Sequence, residues 1–276
     1  MLTSNRSFVA LALLFAGCGV SQPAPQAASS PVAAPASAAP SATSSSAVTL
    51  EPMRPGVWLH TALRETNGFG TVTSNGLVLA SGTEALLVNT PWGADPNADT
   101  DALLRRAAQV AGVPVRRAVG THFHGDSVDG IAALQRAGVP LYTTVLTAQL
   151  MAGAGLPRPD SLFAANADNV WTLRYGDRAV EVFFPGPGHT ADNAVVYVPE
   201  ARLLFGGCLI RPGETESMGN TADADLALWA ETVARVKARY EGRVDVVVPT
   251  HGPPGGPELL DHTIRVVQTG RRALGG

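Results

Sequence analysis

Long apolar runs are missing from this sequence. Nowhere does it hold the roughly 18 consecutive apolar residues that a membrane-spanning helix requires, so it does not read as an integral membrane protein. An excess of basic residues is missing too. Lys and Arg number 20 against 23 Asp and Glu, for a formal charge of −3. No stripe or run of one sign stands out, which argues against a nucleic-acid-binding face. Aromatic residues make up only 6%, and cysteine occurs twice, at Cys18 and Cys208.

The first 48 residues do not have the composition of a folded domain. Residues 1–7 are polar with one charge, Arg6, residues 8–16 (FVALALLFA) form a short apolar core, and Ala16-Gly17 precede Cys18. This three-part build is that of a secretory signal. Its small-small-Cys ending resembles a bacterial lipobox, which implies that residues 1–17 are a lipoprotein-type signal peptide and that Cys18 is lipidated. The match departs at Phe15, where Leu is usual, and ordinary cleavage at a downstream Ala-rich site is the alternative. Gly19, rather than Asp, fits the pattern sent on to the outer membrane. Residues 18–48, dominated by Pro, Ala and Ser, are expected to be a disordered tether, with too little apolar surface to offset the entropy of ordering it. The expected location is the periplasm, anchored through Cys18 or otherwise soluble. Cysteine use sharpens this. With Cys18 lipidated, Cys208 has no partner, and a lone thiol in an oxidising space calls for something to hold it. A metal could do so.

Residues 49–276 alternate apolar runs with helical patterns, the mark of an α/β domain. Strands are expected over 77–79, 85–89, 115–119, 180–184, 194–198, 202–205 and 244–248. Helices are expected over 99–111, 128–137, 223–240 and 258–271. The reactive residues follow four of the strands: His122, His124 and Asp126 the first, His189 the second, Cys208 the third and His251 the fourth. Loops at strand ends are where a rigid sheet aims side chains from distant sequence positions.

In His122-Phe123-His124-Gly125-Asp126 the donors sit at alternate positions, which in extended chain point to one side. Imidazole and thiolate donors suit zinc, and a single carboxylate argues against calcium or magnesium. Six donors exceed one tetrahedral site, so two zinc ions is the economical count. His60 and His262 sit inside an expected strand and helix without such company and are read as structural.

These stretches, with TNGFGTVTSNGLVL, LVNTPW, PGPGHTADNAVVYVP, LFGGC, GNTADADLALW and PTHG, resemble the class B metallo-β-lactamases of subclass 1 over about Val57 to Val267. The second subclass has Asn where this chain has His122. The third lacks the cysteine and places His after the motif Asp, as do glyoxalase II and ribonuclease Z, whereas this chain has Cys208 and Ser127. The resemblance implies a four-layer αβ/βα sandwich. It implies one zinc on His122, His124 and His189 and a second on Asp126, Cys208 and His251, with the lactam amide hydrolysed by a zinc-held hydroxide that Asp126 orients.

Further roles follow from the same resemblance. Asn220 donates to the developing oxyanion, and Arg211, where the family often has Lys, holds the substrate carboxylate. Phe69, on a mobile flap over 65–76, offers an apolar contact, Trp92 lines the mouth, and Asn193 fixes loop geometry. Asn89 departs from the Asp common in the family, which bears on hydrogen bonding behind the metal. The expected partners are β-lactam small molecules, with no nucleic acid and a membrane only through a lipid on Cys18, and the chain is expected to be a monomer. The rival readings are another zinc hydrolase on this fold, and a non-catalytic zinc-binding lipoprotein.

Overall fold

The computed structural model describes residues 48–275. The expected signal peptide, Cys18 and the tether up to residue 47 lie outside the described residues. The chain runs β1 (Thr49–Arg54), β2 (Val57–Thr66), β3 (Gly70–Ala80), β4 (Ala85–Val88), α1 (Pro96–Ala111), β5 (Val115–Val119), α2 (Gly125–Val128), α3 (Ile131–Arg136), β6 (Leu141–Thr143), α4 (Val145–Gly153) and β7 (Ser161–Leu162). It continues through β8 (Val170–Tyr175), β9 (Arg178–Phe183), β10 (Val195–Val198), β11 (Leu203–Gly207), α5 (Trp229–Tyr240), β12 (Val246–Pro249) and α6 (Glu258–Gly275).

Strand alternation decides the architecture. The central strands are apolar on both faces, and successive side chains point to opposite sides. Leu77 and Leu79 of β3 and Leu86 and Val88 of β4 share one cluster with Val196, Val198, Leu203, Phe205 and Val248 of β10, β11 and β12. Their neighbours turn the other way. Val78 and Leu87 meet Leu103 and Ala107 of α1 and Ile131 and Leu134 of α3. Val195, Leu204 and Val247 meet Trp229, Val233 and Val236 of α5 and Leu260 and Val267 of α6. Two sheets therefore pack face to face, each covered outside by helices, as the sequence led us to expect.

The first sheet has the order β1-β2-β3-β4-β5-β6-β7 and the second β12-β11-β10-β9-β8. Both are mixed: β4 to β7 pair in parallel, as do β11 and β12, and the remaining neighbours are antiparallel. No helix among the described residues is long and apolar enough to cross a membrane.

Three local expectations are corrected. The helix expected over 128–137 is broken into α2 and α3 at Gly130, whose amide donates to Thr90 Oγ1 (3.1 Å). The helix expected from 223 begins at Trp229, because Asp225 Oδ1 accepts the amides of Ala227 and Leu228 (3.0 Å each) and holds that stretch as a turn. The flap expected over 65–76 is nearly all strand. β2 and β3 pair from Val57↔Leu79 out to Thr66↔Gly70, so residues 67–69 alone form the turn. Thr71, Val72 and Thr73 favour the strand through their branched Cβ.

His60 lies wholly inside the first sheet's packing. Its ring crosses Gly76, where an added Cβ would overlap both the imidazole and the Val88 carbonyl, and its Nε2 donates to the Asn89 carbonyl (3.1 Å). Burial pushes its pKa down to about 4. The unfolded chain, with an ordinary histidine, binds the proton that the fold refuses. The His60 contribution is therefore fully present above about pH 6.5 and is lost as the pH falls toward 4, by about 3 kcal/mol. Urea unfolding of metal-free protein between pH 7 and pH 4 should show wild type losing more stability than His60→Gln. Parallel curves for the two proteins would remove His60 as the cause.

Candidate metal centre

The loop after β5 is held from behind by hydrogen bonds. Thr121 N donates to Asn89 Oδ1 (3.1 Å) and to Ser127 Oγ (2.8 Å), and Ser127 Oγ donates to Asn89 Oδ1 (2.9 Å). Asn89 follows β4 with φ 58°, a left-handed conformation that Asn tolerates better than most residues. His124 keeps an extended backbone and caps α2, and Asp126 lies in that helix's first turn. Alternation therefore does not bring Asp126 to the site, contrary to the sequence argument. A helical turn does, placing Asp126 Oδ1 3.3 Å from His122 Nε2 in an i,i+4 contact.

Three imidazoles converge here. The ring centroids of His122, His124 and His189 lie 5.0, 5.2 and 5.5 Å apart, all pairs close to edge-on, with His189 Nε2 3.3 Å from His124 Nδ1. Beside them Cys208 Sγ lies 3.0 Å from Asp126 Oδ2 and 3.5 Å from His251 Nε2, which is itself 3.0 Å from Asp126 Oδ2. All six donors expected from the sequence are thus brought into two adjoining groups that share the side of His122 and Asp126.

Outer contacts fix which nitrogen faces inward. His251 Nδ1 meets the Thr73 carbonyl at 2.6 Å, and a carbonyl only accepts, so Nδ1 carries a proton and Nε2 is the nitrogen turned toward Asp126 and Cys208. His124 Nε2 meets Asp223 Oδ2 at 2.9 Å, which turns the lone pair of Nδ1 inward. Asn193 takes the Thr190 amide on Oδ1 and donates to the Gly186 carbonyl, both at 2.9 Å, so it shapes the loop that presents His189. The sequence reading missed Asp223 and Thr73 as orienting groups. Asp223 stood within a quoted stretch, GNTADADLALW, but Thr73 acts through its backbone and left no side-chain signal.

The donors fit a metal cation. His122 Nε2 and Asp126 Oδ1 face each other at 3.3 Å, both buried and short of a regular hydrogen bond to any described residue. Burial opposes charge on Asp126, yet His122 and His251 hold its pKa well below the usual carboxylate range. Burial and Asp126 push the Cys208 thiol up, but His251 and His122 outweigh them and bring it down. Burial also opposes a proton on His122 and His251, but Cys208 and Asp126 raise both well above an ordinary histidine. Two buried anionic groups are calling for positive charge from whatever can supply it. Nitrogen, thiolate and one carboxylate are the ligand chemistry of zinc.

A cavity of about 420 Å³ opens over these groups, lined by Phe69, Trp92, His189, Arg211, Asn220 and His251 among others. Phe69 is 60% exposed at the β2–β3 turn. Trp92 is pinned by its backbone amide, which donates to Ser74 Oγ (3.1 Å), and by Nε1, which donates to Asp129 Oδ2 (3.2 Å). Arg211 is buried rather than pointing into solvent, with Nε donating to the Ser217 carbonyl (3.0 Å). Asn220 accepts the Ala222 amide on Oδ1 (3.1 Å), which leaves Nδ2 as the free end of its amide.

Comparison with known proteins is unambiguous about the surroundings of this site. Residues 70–251 match the model of the metallo-β-lactamase superfamily. The type 2 metallo-β-lactamase of Pseudomonas aeruginosa is 35% identical over 214 residues, covering 78% of this chain and 82% of its own length. That of Bacillus cereus is 34% identical over 221 residues, covering 80% and 83%. Among solved structures, a metallo-β-lactamase from Pontibacter korlensis is 41% identical with a TM-score of 0.74, covering 80% of this chain and 99% of that one. The FIM-1 enzyme of Pseudomonas aeruginosa in its mono-zinc form is 35% identical, also with a TM-score of 0.74, covering 81% and 96%.

The two groups of donors should be separable by mutation. In Cys208→Ser the three imidazoles are untouched, while serine is a poor zinc ligand at neutral pH. Zinc titration followed by native mass spectrometry should give one tight equivalent and one weakened relative to wild type. Two equivalents as tight as wild type would mean that Cys208 binds no metal.

Proposed function

The chain belongs to the metallo-β-lactamase superfamily, and from that premise we propose how its residues divide the work of β-lactam hydrolysis. It is a class B enzyme, with a three-His site and an Asp-Cys-His site consistent with subclass B1, and it hydrolyses β-lactam antibiotics through zinc. The observation that carries this reading is the opening of one cavity onto both donor groups, through His189 of the first and His251 of the second.

His122, His124 and His189 hold one zinc ion and Asp126, Cys208 and His251 a second, giving two per chain. When bound, zinc lowers the pKa of water toward neutrality and polarises a carbonyl oxygen. The chain's own residues do the rest. Asp126 Oδ1, buried 3.3 Å from His122 Nε2, accepts from the attacking water and orients it toward the lactam carbonyl. Asn220 Nδ2 donates to the oxyanion that develops on that carbonyl. Arg211 pairs with the carboxylate that nearly all β-lactams carry, for which a guanidinium offers a bidentate fork. Burial lowers the pKa of Arg211, against an opposing pull from Cys208, and among the described residues no carboxylate forms an ion pair with it, so the guanidinium is open to a substrate anion. Phe69 and Trp92 supply apolar contact to the ring substituents.

The fold's other hydrolases, acting on lactones, thioesters or phosphoesters, are disfavoured by Ser127. Its hydroxyl is committed to Asn89 and to the amides of Thr121 and His122. A non-catalytic zinc protein has no use for the open cavity. All six ligands come from one chain, so a monomer suffices for activity. The amino-terminal sequence supports export to the periplasm with a lipid on Cys18.

Carbapenem, cephalosporin and penicillin hydrolysis by purified residues 49–276 should vanish with a chelator and return with zinc. Full turnover by metal-free protein would sink the assignment. Arg211→Ala should raise KM for a carbapenem through the loss of about 1.5 to 3 kcal/mol of charge-assisted binding, with zinc content unchanged. The contact is made in ground and transition states alike, so kcat should move little. An unaltered KM would detach Arg211 from the substrate.

A further inference from the structure

The loop that carries Arg211 and Asn220 is fastened to one strip of α6. Arg211 N donates to Thr263 Oγ1 (2.9 Å), and that hydroxyl donates to the Leu259 carbonyl (2.7 Å). Four residues along the loop, His262 Nε2 donates to the Thr215 carbonyl (2.8 Å). Thr215 passes the anchor on. Its Oγ1 accepts the Ser217 amide (3.1 Å), Ser217 Oγ accepts the Gly219 amide (3.1 Å), and the Ser217 carbonyl accepts Arg211 Nε (3.0 Å). Two turns further along α6, Met218 lies over Gly270, where an added Cβ would come within 2.7 Å of Met218 Cε. Gly219 covers the guanidinium, its own added Cβ lying 3.1 Å from Arg211 Nη1.

The direction of this chain matters. Each hydrogen bond fixes the next group outward, from the helix to Thr215, to Ser217, and then to both Arg211 and the residue before Asn220. His262 is only 8% exposed, and a carbonyl partner requires the proton on its Nε2, so the imidazole serves here as a rigid donor on a fixed helix. A long side chain such as Arg211 loses much rotamer freedom on pairing with a ligand. Fastening its Nε in advance removes part of that cost, which is how preorganisation strengthens binding.

We propose that His262 is a positioning residue for substrate binding. Through Thr215 it holds the 212–220 loop against α6, so that Arg211 and Asn220 stand ready at the cavity. The proposal rests on the reading of Arg211 as the partner of the substrate carboxylate.

The test uses the full-length, zinc-loaded chain. It combines steady-state carbapenem kinetics with amide hydrogen exchange at Ser217 and Gly219. His262→Leu removes the donor, and His262→Gln restores an N–H at similar reach. For His262→Leu, loss of one such bond should raise KM about three- to tenfold through Arg211 and lower kcat through Asn220, whose contact is made as the oxyanion develops, with zinc content unchanged and with faster exchange at both amides. His262→Gln should return KM and exchange toward wild type. Should His262→Leu fail to fold, Met218→Ala loosens the same loop by trimming its apolar contact with α6 at Gly270 while leaving every α6 residue in place, and the same rise in KM and exchange is expected. Unchanged KM and exchange in the variant, with Arg211→Ala raising KM, would overturn the proposal and leave the Arg211 reading standing. A drop in Tm alone would do the same, since a merely structural histidine behaves that way. An unchanged KM in Arg211→Ala would overturn the reading itself, and the proposal with it.

Discussion

Asp126 and Cys208, buried 3.0 Å apart, are the constraint on which the rest of this structure turns. Two groups that work as anions cannot share a dry pocket without compensation, since burying an unpaired charge costs several kcal/mol. Asp126 comes with His122 and His124 from the loop after β5, in the first sheet. Cys208 comes with His189 and His251 from loops of the second. The ligand set therefore exists only when the two sheets are stacked in register at this edge. A cation bound there contributes its binding energy to the stacking itself, because the unfolded chain has no such site. The apolar layer between the sheets and the metal centre at their rim hold the same surfaces together.

That dependence explains which features were legible in the sequence. The four ligand loops could be read because each follows a short apolar run, and His122, His189, Cys208 and His251 do follow β5, β9, β11 and β12. The layered fold was legible for the same reason, since both faces of β3, β4, β10 and β11 are apolar and need cover on each side. Features decided by a single hydrogen bond were not. The break at Gly130 depends on Thr90, forty residues away, and the late start of α5 on the side chain of Asp225. Asp126 was placed in the right site for the wrong local reason, because nothing in HFHGD announces that a helix begins inside the motif. His262 sits within a helical pattern rather than in a loop after a strand, and so its role at the loop left no mark in the sequence pattern.

Trp92 joins the cavity's roof to its floor. Its indole stacks under the Arg64 guanidinium, 4.6 Å from the ring centre, and Arg64 Nη1 donates to the Gly93 carbonyl (3.1 Å). Arg64 belongs to β2 and Ser74, which takes the Trp92 amide, to β3, so one residue touches both strands of the hairpin that ends in Phe69. On its other edge Trp92 bonds Asp129, just past α2. The bond crosses over Gly125, where a Cβ would collide with the Asp129 carboxylate and come within 2.8 Å of Trp92 Nε1. The glycine inside the His-x-His-x-Asp motif is thus required by the second layer of contacts rather than by the metal. Through it the hairpin over the cavity and the loop under it share one rigid contact.

Asn89 shows how the same scaffold can be kept with a different charge. Its Oδ1 accepts from Thr121 N and Ser127 Oγ, and these are the neighbours in sequence of His122 and Asp126. An aspartate, common in the family at this position, could supply that oxygen equally well, so the loop does not require the change. The two residues differ at the other end of the side chain, where Asn89 Nδ2 is buried and finds no partner among the described residues. A carboxylate would have added a third negative group behind a pocket in which Asp126 and Cys208 already depend on imidazoles and a cation for compensation. The amide forgoes one hydrogen bond and leaves that count at two. Geometry at this position is set by an acceptor oxygen, and electrostatics by the atom that lies beside it.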